Sequence, residues 1–126
     1  MIVWLILKNR RADRAMRTYE ICLSYCDRIK KDEVMSRRRN WLLAGDAVII
    51  DKGILDLMRL YASLGALLRQ GVLDRSLIQT ILGKTLIAMK MDNLIRDNIN
   101  TEQGLRHNEY DDLRFLFDSV SNTDGT

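Results

Sequence analysis

Not one proline interrupts the 126 residues of this chain. Proline removes a backbone donor and clashes with the preceding turn, so its absence permits helices of unbroken length. The choice of apolar residues agrees, with leucine occurring 19 times and valine 5 times. Leucine keeps its rotamer freedom in a helix, whereas valine loses it and suits strands. Apolar residues make up 47% of the chain and charged residues 29%, enough for one core beneath a charged surface and unlike a disordered segment. The expected fold class is all-α: a single-domain bundle of about four helices over residues 1–126, with a long amphipathic first helix and a central, buried second one.

Helical periodicity puts the first helix at about residues 9 to 35. Ala12, Ala15, Tyr19, Cys22, Cys26 and Ile29 recur at intervals of three and four, a seam that Met16 and Leu23 widen. Such seams pack along their length, in some proteins against a second copy. The opposite face carries Arg10, Arg14, Arg17, Arg28 and Lys31. Cys22 and Cys26 would share a helical face, where a disulfide is strained, so both read as reduced, small core residues. Ser36-Arg37-Arg38-Arg39-Asn40 is either a connection or the exposed first turn of a new helix, because three adjacent arginines cannot share one face.

Asp46 is the candidate N-cap of the second helix, residues 47 to 70. A short strand at Ala47–Ile50 is discounted for want of a partner strand. The only polar residues along much of this helix are Lys52, Asp56, Arg59 and Ser63, a stripe so narrow that the helix must be buried on most sides. Ala62, Gly65 and Ala66 would let a neighbour approach closely. Gly71 ends the helix and Asp74 caps a third, about residues 75 to 98, so these two are expected as antiparallel neighbours. Asn98 to His107 reads as a loop. Asn108 opens the last helix, with Glu109, Asp111 and Asp112 placed where the helix dipole favours negative charge. Residues 1–8 read as an apolar N-terminal tail and residues 121–126 as a frayed C-terminal one.

Chemistry is sparse. Gly83-Lys84-Thr85 resembles the end of a phosphate-binding loop, but Ile78 stands where that motif needs glycine, and the triplet lies in a helical pattern. Two cysteines and the single His107 are too few for a structural zinc site. Asp111 and Asp112 diverge on a helix and make a poor catalytic pair. Asp92 and Arg96 are spaced for an ion pair. The expectation is no enzyme activity, no cofactor and no small-molecule substrate.

Charge is lopsided: residues 1–45 hold 11 basic and 5 acidic residues, and residues 46–126 hold 9 and 12. Two candidate surfaces follow. Trp4, Leu7, Ala15, Tyr19, Cys22 and Cys26 form a candidate self-association surface, pointing to a homo-oligomer or a protein partner. Arg10, Arg14, Arg17, Arg28, Arg37, Arg38, Arg39 and Trp41 form a candidate surface for an anion or nucleic acid, the arginines for phosphates and the tryptophan for a stacked base. The favoured function is a self-associating protein–protein interaction module. The alternatives are a nucleic-acid-binding protein, a small inhibitor of a larger machine of the phage anti-defence kind, and a membrane-proximal cytoplasmic domain. The last rests on Met1–Leu7, an apolar run followed by Lys8, Arg10, Arg11, Arg14 and Arg17, as at the cytoplasmic end of a membrane helix. The expected location is cytoplasmic, with association to a membrane surface as the variant.

The run Ile54-Leu-Asp-Leu-Met-Arg-Leu-Tyr61, then Gln70-Gly-Val-Leu-Asp74, Ile81-Leu-Gly83 and Arg96, resembles a family of small bacterial helical domains of unknown function. Ala62-Ser63 departs from that family's pattern, which has an aromatic-acidic pair there. The resemblance implies a helical domain often preceded by a membrane anchor, and implies no activity.

Overall fold

A computed structural model of the chain describes residues 2–46, 50–92, 95 and 105–121, with side-chain surroundings for those from residue 10 to residue 120. Among these residues there are five helices and no strand: α1 (Ile2–Lys31), α2 (Glu33–Ala44), α3 (Lys52–Arg69), α4 (Arg75–Met91) and α5 (His107–Ser121). The helical class is as expected, with one helix more than the expected four. The predicted end of the third helix at Asn98, the Asn98–Gly104 part of the loop, Arg96 and the tail after Ser121 lie outside the described residues.

The extra helix comes from a break that periodicity alone does not show. Asp32 turns extended (φ −96, ψ 109), and its carboxylate accepts from the Met35 amide at 3.0 Å. An aspartate that caps the following turn ends the helix before it, so α1 stops at Lys31 and the arginine triplet falls inside α2. At its other end α1 begins at Ile2, so residues 2–8 are helix rather than a tail.

The cap of the central helix is also displaced. Gly45 is left-handed (φ 77) and the Asp46 amide donates to the Trp41 carbonyl at 2.9 Å, so Asp46 closes α2. The cap of α3 is Asp51, which accepts from Ile54 N at 3.0 Å. Asp74 caps α4 as expected, accepting from Leu77 N at 3.2 Å, after a turn through left-handed Gly71 (φ 78). Asp92 leaves α4 with extended backbone and accepts from the Ile95 amide. The last helix starts at His107, and Glu109 accepts from the Arg106 amide at 2.9 Å.

All five helices contribute to one hydrophobic core. On α3, Ile54, Leu57, Tyr61 and Leu64 are wholly buried, each such side chain stabilising the fold by about 1.5–3 kcal/mol. Lys52, Arg59 and Ser63 are exposed and Asp56 is half-buried, the narrow stripe expected. The closest partner of α3 is α5, not the α4 to which a short turn joins it. Gly65 explains this, because a Cβ there would overlap the backbone carbonyl of Asp112. The missing side chain lets the α5 backbone come down onto α3, while α4 packs on α5, α1 and α2.

This geometry distinguishes two helical glycines. Alanine is intrinsically the better helix former by about 1 kcal/mol. At Gly83 an added Cβ meets only Gln79 Cγ at an ordinary 3.5 Å, so Gly83→Ala should raise the urea midpoint. Gly65→Ala should lower stability by roughly 1–3 kcal/mol, because α5 must move. A Gly65→Ala chain as stable as the parent would disprove the close approach.

Candidate functional site

The site residues proposed from sequence lie on α1 and α2, and the structure sorts them. The sequence-read seam of α1 does not stay on one face. A three-four repeat has a period of 3.5 residues, so on a straight helix it slides by about 20° per heptad. Its C-terminal end, Cys22 and Ile29, is buried, while at its N-terminal end Ala12 is exposed, Ala15 half-buried and Tyr19 51% exposed. The face that enters the core is Thr18, Cys22, Tyr25 and Ile29. Thr18 is fixed by donating to the Arg14 carbonyl (2.7 Å) and accepting from the Asp74 amide (2.7 Å). Tyr25 shares a 2.6 Å hydrogen bond with Ser63 of α3.

Two flanks of α1 remain. On one, Ala12, Met16, Tyr19 and Leu23 are exposed at intervals of four, three and four. On the other, Arg10, Arg14 and Arg17 are exposed and make no ion pair among the described residues. Arg28 continues that line, with its guanidinium 5.8 Å from the Tyr25 ring centre. The side chains of Trp4 and Leu7 lie outside the described ones.

Cys22 is a correction to the self-association surface: it is fully buried within its own chain. Cys26 is half-buried, and both thiols are free. Burial, helped by the neighbouring Cys26, pushes the Cys22 thiol up to about 11. Thiolate is the reactive form, so Cys22 should escape iodoacetamide near pH 8 in the folded chain and be labelled in denaturing urea. Equal labelling in both conditions would show that Cys22 is at the surface.

The arginine triplet does not form one patch. Arg37 is exposed and pairs with Glu33 at 3.1 Å. Arg38 grips Asp51, with Nε 3.0 Å from Oδ2 and 3.2 Å from Oδ1 and a terminal nitrogen also on Oδ2. Its guanidinium lies 4.2 Å from the Trp41 ring centre. Trp41 is therefore stacked within its own chain rather than free to take a base. Arg39 is half-buried, and its Nε has no hydrogen-bond partner among the described residues.

The Arg38–Asp51 pair joins α2 to the first turn of α3. Hydrogen bonds from Arg38 hold the Asp51 carboxyl below its ordinary value of 3.8 against the opposing effect of burial, and the Ile54 and Gly53 amides add to it. A carboxyl depressed in the folded state contributes stability above its unfolded pKa and loses it as pH falls through the folded one. Asp51→Asn keeps a capping side chain but removes the charge. It should flatten the fall of the urea midpoint below about pH 4. A fall as steep as the parent's would show that other carboxylates govern acid unfolding.

The remaining chemistry is dispersed. Gly83-Lys84-Thr85 lies within α4. His107 sits 3.5 Å from Asp111, while Asp112 faces Arg69 at 3.5 Å, so the adjacent aspartates point apart. Among the described residues no three His, Cys, Asp or Glu side chains converge to hold a metal ion. No described helix is long and apolar enough to cross a membrane. Compared with protein-family models, curated proteins and solved structures, the chain matches none of them.

Proposed function

We propose that this chain is a non-enzymatic helical interaction module that associates with a second copy of itself through the exposed apolar flank of α1. The observation behind this reading is the stripe of Met16, Tyr19 and Leu23, which are 63%, 51% and 46% exposed. Scattered apolar residues on a surface need no explanation, but a contiguous stripe does. These three follow Ala12 at the four-three-four spacing of a coiled-coil seam, and half-buried Cys26 continues it. A helix of 30 residues is about 45 Å long, enough for several such layers against a partner.

A second copy is the occupant that fits this spacing. An identical helix offers the same ridge of alternating medium and large side chains, so each can fill the gaps of the other. Asp13, Glu20 and Asp27 recur every seven residues beside the stripe, the kind of charged edge that sets orientation between paired helices. Tyr19 lies near the middle of the stripe, where truncation costs most.

The test is sedimentation velocity over a range of concentrations. The parent chain should dimerise, and Tyr19→Asp should weaken association by about 30-fold or more. Met16→Asp should do the same from a separate position. Dimers of undiminished strength in both variants would place the interface elsewhere, and a parent that stays monomeric at every concentration would end the self-association reading.

A further inference from the structure

We propose that the opposite flank of α1 binds the phosphodiester backbone of a single nucleic-acid strand, without reading its bases, in the groove between Arg10, Arg14 and Arg17 and the α3–α4 turn. This site uses none of the apolar stripe and does not depend on self-association.

The groove holds about 280 Å3 and is lined by Arg10, Asp13, Arg14, Arg17, Gly71 and Val72. One wall is the arginine flank of α1. The other is the turn, pinned against α1 by the hydrogen bond from the Asp74 amide to Thr18. The three guanidinium groups sit at helix positions i, i+4 and i+7, one above the other on one side of α1. None has an ion-pair partner among the described residues. Four other arginines are engaged by carboxylates: Arg37 with Glu33, Arg38 with Asp51, Arg59 with Asp56, and Arg69 with Asp112. Three unneutralised cations in one concavity form a site for an anion. The groove's single acid, Asp13, leaves it net positive.

Three features select the strand. The arginines form a row about 10 Å long from first to last, which suits successive charges along a chain better than one compact anion. The row lies in a groove bounded by the turn, which admits a strand more readily than the plane of a bilayer. No aromatic side chain lines the groove, and Trp41 is held under Arg38. Contacts are therefore to phosphate, and the stacking that normally grips bases is missing.

The test is fluorescence anisotropy of the full chain with a fluorescein-labelled thymidylate 20-mer and a mixed-sequence 20-mer. Both should bind alike. With three phosphates neutralised, the log–log salt slope should be near −2, a loss of about 20-fold between about 50 and 200 mM salt. Arg10→Gln/Arg14→Gln/Arg17→Gln, at unchanged helicity by circular dichroism, should abolish that slope. The matching triple lysine variant should retain it, since lysine also neutralises phosphate. Arg37→Gln should leave binding unaltered. The proposal is overturned by no binding at about 50 mM salt, by a triple glutamine variant that binds like the parent, or by binding to phosphatidylserine vesicles with none to either oligonucleotide.

Discussion

The structure depends on enclosing α3. Nine of its 18 residues are buried and its polar side chains are confined to one stripe, so it is stable only with other helices on nearly every side. The rest of the fold supplies them. Gly65 admits α5 at close range, Ser63 meets Tyr25 of α1, and Arg38 of α2 clamps Asp51 at the N-terminal end of α3. The polar contacts lie at the edges of α3, where its stripe meets neighbours, and the faces between them are apolar. This division follows from the cost of burying an unpartnered polar group.

Once α3 is enclosed, α1 is longer than the core it covers. From Thr18 onward one face of α1 is buried, whereas residues 10–17 are exposed apart from Ala15. Because the buried face takes the middle of the cylinder, the two remaining flanks are separated by it. One is apolar at heptad spacing and the other is cationic and faces the α3–α4 turn.

The arginine triplet shows how neighbours in sequence acquire different tasks. Successive residues on a helix are about 100° apart, so Arg37, Arg38 and Arg39 face solvent, a capping aspartate and the interior respectively. As a sequence feature they form the densest positive run in the chain. As a structural feature one is neutralised and one braces a helix junction. The weaker-looking set, Arg10, Arg14 and Arg17, is dispersed in sequence but aligned in space. All six stand out in the sequence as candidates, since composition and spacing both mark them. What could not be read there was which carboxylates stood opposite them, because Asp51 is 13 residues away and the Gly71–Val72 turn more than 50.

Local signals were legible in the sequence wherever the determining contact is local. The missing prolines, the leucine-rich periodicity, the Asp74 cap, the Gly71 turn and the narrow polar stripe of α3 each act within a turn or two, and they specify helices and a central buried one. Asp32 and Asp51 were local caps too, but a continuous hydrophobic pattern masked the first and the nearby Asp46 competed with the second. Only the tertiary structure decided which face of α1 turns inward. A 3.5-residue seam and a 3.6-residue helix drift apart, and the choice between Tyr19 and Tyr25 for the core depends on where α3 and α4 meet α1. It also decided that α5 rather than α4 lies closest to α3, since that order depends on one absent side chain at Gly65 meeting a backbone 47 residues farther along the chain.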